Sequence, residues 1–388
     1  MKAAHPRALV ALTIGVLVGC GGAKNDARDA GGNDGRPGDA NATMDAGCAP
    51  ACAANQTCVL GACQPTPVQV ATMPRCGVAH LIVGGATLYW TESATGAVKS
   101  LATATPGGAP TVVASSQPMP GALAVDDTNV YWANDGDLSL VKAPLAGAAP
   151  TPLLTAPALV SGILANGGTI YYGAGASTYA LPSASTAPTT LMTFATCKQS
   201  HTGALALDVD HLYQTDYLNQ FLSRERIDGT QETNNPCSAD QTTVPKIAAP
   251  DTISHSQGDL FEGALTVVEG QLIWADSSNL YGKAASSTTA TGALTLATTA
   301  DAGAVTGFVV SGASVYLGES GADESGGDAV EVAPLDPGDA GPGTATIIAM
   351  AGGAVSQFAA DATHVYWVVT SSATDGGAAD CAIMSLAK

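Results

Sequence analysis

The chain is poor in aromatic residues (5 % of 388), in charge (12 %) and above all in cations, with 14 Lys and Arg against 33 Asp and Glu and a formal charge of −19. Ordinary globular proteins are about one quarter charged. So sparse a basic complement excludes a protein that holds nucleic acid through a general positive field, because phosphate attraction needs clustered Lys and Arg. Catalytic signatures are missing too: there is no Gly-x-Ser-x-Gly elbow, no His-Glu-x-x-His and no Gly-x-x-x-x-Gly-Lys phosphate loop. Gly (45) and Pro (22) stay below the level that signals disorder throughout, and apolar residues reach 46 %, enough for a large core.

The first apolar run, Ala8 to Val18, follows the cations Lys2 and Arg7. It falls short of the roughly twenty residues of a membrane-spanning helix and reads as an export signal. Its end, Leu17-Val18-Gly19-Cys20, resembles the bacterial lipobox. The resemblance implies that residues 1–19 are removed and that Cys20 becomes the lipidated first residue, anchored to a membrane of the cell envelope, on the periplasmic or surface-exposed side. An ordinary signal peptide with an incidental Cys is the rival reading. Residues 20–47 follow as a lipidated Cys and a tether of Gly, Ala, Asp and Asn, too poor in apolar side chains to offset ordering entropy. As a disordered coil it has a reach of about 30 Å.

With Cys20 set aside, eight cysteines remain, an even number suited to an oxidising compartment. Cys48, Cys52, Cys58 and Cys63 crowd into a small disulfide-rich module, residues 48–64. The run CAPACAANQTCVLGAC resembles part of an EGF-like unit, and three connectivities are open to it. A metal site is the rival, disfavoured by the absence of Cys-x2-Cys spacing and of a nearby His.

Seven segments share one pattern: Leu81–Trp90, Leu123–Trp132, Ile163–Tyr172, Leu205–Gln214, Leu265–Trp274, Phe308–Leu317 and Phe358–Trp367, with starts 42, 40, 42, 60, 43 and 50 residues apart. Each is a short apolar strand, a turn of Gly, Asp, Asn or Thr, and an aromatic-rich strand, followed by two further apolar runs. Four short strands per repeat predict an all-β β-propeller over residues 65–388. Seven blades match the segment count; six and eight stay open.

The second strand carries a family resemblance. Its copies Tyr-Trp-Thr-Glu (89–92), Tyr-Trp-Ala-Asn (131–134), Tyr-Gln-Thr-Asp (213–216), Ile-Trp-Ala-Asp (273–276) and Tyr-Leu-Gly-Glu (316–319) resemble the YWTD propellers of lipoprotein-receptor ectodomains, and more loosely NHL-type propellers. Copies 171–174 and 366–369 depart from that pattern, and the family usually has six blades. The last copy lacks a fourth strand, and the segment 66–70 resembles one, so the N-terminal strand should close the last blade. Closure predicts a Cys76–Cys381 disulfide, with Cys197–Cys237 bracing the fourth blade.

The recurring rings Trp90, Trp132, Tyr172, Trp274 and Trp367 read as blade-to-blade packing. The acids Glu92, Asp216, Asp276 and Glu319 and the turn acids Asp126, Asp208 and Asp361 read as braces, with Ca²⁺ retained as an alternative and no other cofactor expected. The long fourth repeat holds Tyr217, Phe221, Arg224, Arg226 and His255, the expected binding loop, since insertions map to ligand-binding faces. The sixth repeat holds a run of acids, including Asp328, expected to be a mobile loop. Together these features predict a monomeric, membrane-anchored binding or scaffold protein that recognises a protein or an extracellular polymer, and not nucleic acid. The alternative is a propeller enzyme of the envelope: a lyase, a hydrolase or a quinone-cofactor dehydrogenase.

Overall fold

The computed structural model describes residue 48 and residues 51–193, 202–216, 221–228, 265–275, 278–285, 294–301, 303–322, 327–336, 342–371 and 379–388. Among these residues all regular structure is β. A hairpin of β1 (Gln56–Val59) and β2 (Ala62–Pro65) comes first, then β3 (Val68–Met73). Blade 1 is β4 (Val78–Gly84), β5 (Thr87–Glu92), β6 (Ala97–Ala102) and β7 (Thr111–Ala114). Blade 2 is β8 (Pro120–Val125), β9 (Asn129–Asn134), β10 (Ser139–Pro144) and β11 (Thr151–Thr155). Blade 3 is β12 (Val160–Asn166), β13 (Thr169–Ala174), β14 (Ser177–Pro182) and β15 (Thr189–Thr193). Blade 4 shows β16 (Thr202–Leu207), β17 (His211–Asp216) and β18 (Phe221–Arg226). Blade 5 is β19 (Leu265–Val268), β20 (Gln271–Ala275), β21 (Asn279–Ala284) and β22 (Leu294–Thr298). Blade 6 is β23 (Ala304–Ser311), β24 (Ser314–Ser320), β25 (Ala329–Pro334) and, after the short β26 (Gly343–Thr344), β27 (Thr346–Met350). Blade 7 is β28 (Ala354–Ala360), β29 (His364–Thr370) and β30 (Cys381–Ala387).

The chain is a seven-bladed propeller. Every blade is an antiparallel meander, and β26 adds a parallel step to the outer edge of blade 5. The seven repeated segments are the inner hairpins, and their first and last residues are cross-strand partners in every case: Leu81 with Trp90, Leu123 with Trp132, Ile163 with Tyr172, Leu205 with Gln214, Leu265 with Trp274, Phe308 with Leu317 and Phe358 with Trp367.

Successive residues on a strand point to opposite faces, which gives the Tyr-Trp step its meaning. Trp132 packs with Tyr89 of the preceding blade, while its neighbour Tyr131 packs with Tyr172 of the following one. Trp274 meets Tyr213, Trp367 meets Tyr316, and Trp90 meets Tyr366 across the closure. Blades 3 and 4 join through Tyr171, Leu205 and Leu212, and blades 5 and 6 through Ile273, Val305 and Leu317. Trp90, Trp132, Tyr172, Trp274 and Trp367 are all buried, as packing requires. Each such ring removes about 150–250 Å² from water.

The last blade is closed by the N-terminal strand. β3 pairs antiparallel with β30, from Val68 opposite Ser385 to Met73 opposite Cys381, a little further along the chain than residues 66–70. Cys76 and Cys381 are disulfide-bonded, with Cα atoms 4.7 Å apart. The N-terminal hairpin is held by Cys48–Cys58 and Cys52–Cys63, which selects one of the three connectivities. Its Val59 is buried with Ala322, Ala329 and Ile347 of blade 6, so the hairpin is docked rather than a free spacer. Cys197 and Cys237 lie outside the described residues.

Cys76–Cys381 spans 305 residues, whereas the hairpin bridges span 10 and 11. Replacing Cys76 and Cys381 together by Ser should therefore cost about 3–5 kcal/mol through lost loop constraint, more than removing either hairpin bridge. Guanidinium unfolding without reductant measures this, and equal losses for all three bridges would refute a special role for the closure.

Candidate functional site

The fourth repeat contributes less to a protruding loop than its residue types suggest. Arg224 lies on β18, and its Nη1 donates to the Ala285 carbonyl of blade 5 at 2.7 Å, tying two blades together. Arg226, on the same strand, holds Asp228 at 2.8 Å. Phe221 begins β18. Tyr217 and His255 lie outside the described residues. Asp328 of the sixth repeat is buried, and its Oδ2 accepts from the Val355 N–H of blade 7 at 2.8 Å, so this acid is pinned at the start of β25 instead of riding in a mobile loop.

The turn acids share one geometry. Oδ1 of Asp126 accepts the N–H groups of Thr128 and Asn129 at 2.8 and 2.7 Å, and Oδ2 accepts the Tyr131 hydroxyl at 2.7 Å. Asp208 repeats this with Asp210, His211 and Tyr213, and Asp361 with Thr363, His364 and Tyr366. Burial opposes ionisation at all three, but the hydrogen bonds outweigh it, and the Asp361 carboxyl is lowered to about 2. These carboxylates lock their own hairpins. Glu92 does the same within blade 1, accepting from Trp90 Nε1 at 2.9 Å and Thr95 at 2.7 Å and pairing with Lys99 at 2.9 Å.

The turn ends of the inner strands open onto a cavity of about 630 Å³, bounded by blades 1 to 5. Ile82, Val125, Leu164, Leu207, Val209 and Val267 give it a mainly aliphatic lining that also includes Thr266, while the turn residues Asn166, Asp208 and Glu269 stand at its rim. This volume lies within the range of ligand sites, about 300–1,000 Å³. Because the cavity collects residues from five repeats, no segment of the sequence announces it; the only local hint is Val209, an aliphatic residue placed in a turn and 84 % exposed.

Two buried acid sites went unsignalled. Glu225 occupies a core position on β18 where the other third strands carry Leu101, Ala143, Leu181, Ala333 and Leu386, or Lys283 in blade 5. Burial raises its carboxyl to about 8 against the opposing bond from the Thr178 hydroxyl of blade 3. In blade 6, Glu331 stands where blade 1 has Lys99, opposite Leu317 as Lys99 is opposite Trp90. It is fully buried, and burial together with the hydrogen bond to Glu319 pushes its carboxyl well above the usual range, although the Ala300 N–H donates to it at 2.9 Å. The two acids neighbour each other where blade 1 has the Glu92–Lys99 salt bridge. On β4, burial lowers the imidazole of His80 to about 4, so it is neutral at pH 7.

Glu225 and Glu331 keep their protons when folded and release them near pH 4.5 when unfolded. Each therefore reduces stability as pH rises above about 4.5, with the loss complete near pH 8 for Glu225. Glu225→Gln and Glu331→Gln should flatten the stability curve across this window and raise the unfolding midpoint above pH 7. An unchanged slope in both variants would show that neither acid is protonated in the native chain.

No protein-family model matches the chain, and no curated protein matches it. Solved structures do share the fold. A catalytically inactive virginiamycin B lyase from Staphylococcus aureus, solved with quinupristin, superposes with a TM-score of 0.56 at 11 % identity, covering 83 % of this chain and 98 % of that one. The WD40 β-propeller domain of Doa1 gives 0.54 at 11 % identity over 82 % and 96 %. A chain of the mitotic checkpoint complex gives 0.56 at 9 % identity over 83 % and 92 %. At such identities the likeness is one of fold: this chain has the propeller architecture that serves a lyase in one protein and assembly in another.

Proposed function

We propose that this chain is a lipid-anchored extracytoplasmic binding protein whose propeller recognises a protein or an extracellular polymer. Cys20 carries the lipid, residues 20–47 form the tether, and the propeller is held as a monomer beyond the membrane surface. Three disulfides suit an oxidising compartment, and among the described residues no helix is long and apolar enough to cross a membrane. The observation that carries the binding reading is the channel mouth: its lining is mainly aliphatic, with Asn166, Asp208, Thr266 and Glu269 its polar side chains, an arrangement suited to adhesion rather than to proton transfer.

Cys20→Ser should leave the chain in the aqueous phase of a detergent partition, whereas the unaltered chain should enter the detergent phase with the mass of added acyl groups. Equal partition of both would remove the anchor. For the binding itself, thermal unfolding of the full chain with cell-wall fragments should show a rise, about 2.7 kcal/mol at one hundred times the dissociation constant. A rise with quinone cofactors or Ca²⁺ alone would replace this reading with the enzyme.

A further inference from the structure

The rim of the channel mouth differs in chemistry from its walls. Asp208 and Glu269 bound the cavity, Asp126 follows the lining residue Val125, and the exposed Asp210 follows Val209. Asp126 and Asp208 are held ionised by their own turns, so their charge is a fixed feature of the surface. The basic side chains near these turns are already engaged: the His211 ring stands 3.6 Å from Asp208, and Lys388 donates to Ser311 and to the Asp361 carbonyl. Among the described residues each inner strand is also the terminal strand of its sheet, so no strand pairs with its axis-facing edge, although Thr91 reaches the Gly121 carbonyl and Thr215 the Ala204 N–H. An aliphatic well, an anionic collar and strand edges without a partner strand make three separate demands on an occupant. It must bring apolar side chains, positive charge and hydrogen-bonding groups of its own.

We propose that the channel mouth binds a short peptide segment of a partner protein in which Leu-, Ile- or Phe-like side chains adjoin Lys or Arg. This rests on the binding reading above and supplies the chemistry of its partner. The apolar side chains enter between Ile82, Leu164, Leu207 and Val267, and the cationic side chains stay at the collar beside Asp210 and Glu269. Charge complementarity chooses this occupant over an acidic segment, which the collar and the formal charge of −19 would repel.

Selection of phage-displayed random heptapeptides on the immobilised full chain, followed by fluorescence anisotropy of labelled winners, tests the proposal. Val209→Asp and the pair Asp210→Lys, Glu269→Lys alter exposed positions only, and an unchanged thermal midpoint certifies each fold. Winners should combine Lys or Arg with large apolar residues, weaken about tenfold or more in both variants and weaken again in high salt. Acidic or purely polar winners would overturn the proposal. Winners that bind both variants like the parent chain would also overturn it, moving the contact elsewhere while the binding reading survives. If nothing is enriched, the mouth proposal falls, and the cell-wall titration judges the broader reading on its own.

Discussion

A tyrosine followed by a tryptophan on one β-strand sends its two rings to opposite faces, and in a propeller those faces belong to different blades. Trp132 reaches back to Tyr89 and Tyr131 reaches forward to Tyr172, so one dipeptide serves two interfaces. A blade on its own would expose both rings and could not be stable. The ring must therefore close, and every other feature follows from that requirement. β3 completes blade 7 from the far end of the sequence, Trp90 finds Tyr366 only because it does, and Cys76–Cys381 fixes the join. Few aromatic residues suffice because the recurring Tyr and Trp of the second strands lie at the seams.

Departures from this plan concentrate in blades 4 to 6. Gln214 takes the place of the tryptophan in blade 4 and Leu317 in blade 6. Glu225 and Lys283 fill core positions that are aliphatic elsewhere, and Glu331 stands where blade 1 has a lysine. Gln214, Glu225 and Lys283 replace nonspecific burial by groups that must find a partner or a proton, since an unpaired buried charge is expensive. The same stretch holds the longest spacing between repeats and the inserted acids, whereas blades 3 and 7 depart from the pattern only through apolar or small residues, as in residues 171–174 and 366–369.

What was legible in the sequence was whatever recurs. The period marked the hairpins because Leu81 and Trp90, nine positions apart, are cross-strand partners, and that spacing occurs in all seven hairpins. Closure was legible because the last copy lacks an outer strand. Arg224 was misleading: it stood out by scarcity, yet it is spent on the Ala285 carbonyl of the next blade. The connectivity of Cys48 to Cys63 could not be read, since four thiols so close together satisfy chain geometry in several ways. The mouth was invisible for a different reason. Ile82 and Val267 belong to different repeats, and only the ring brings their strands around one cavity.

The turn acids connect the fold to the surface it presents. Asp126, Asp208 and Asp361 are used internally, each closing a hairpin and receiving the hydroxyl of the tyrosine that packs against the next blade. Because those bonds hold the carboxylates ionised, the device that sets the hairpin geometry also deposits negative charge around the channel axis. A rim charged in this way costs no additional strain, and it cannot be neutralised at ordinary pH without loosening the turns. The neighbouring Asp210 and Glu269 have exposed side chains, so changing them would leave the turn bonds intact. Part of the collar is thus dictated by folding, and part can vary without disturbing it.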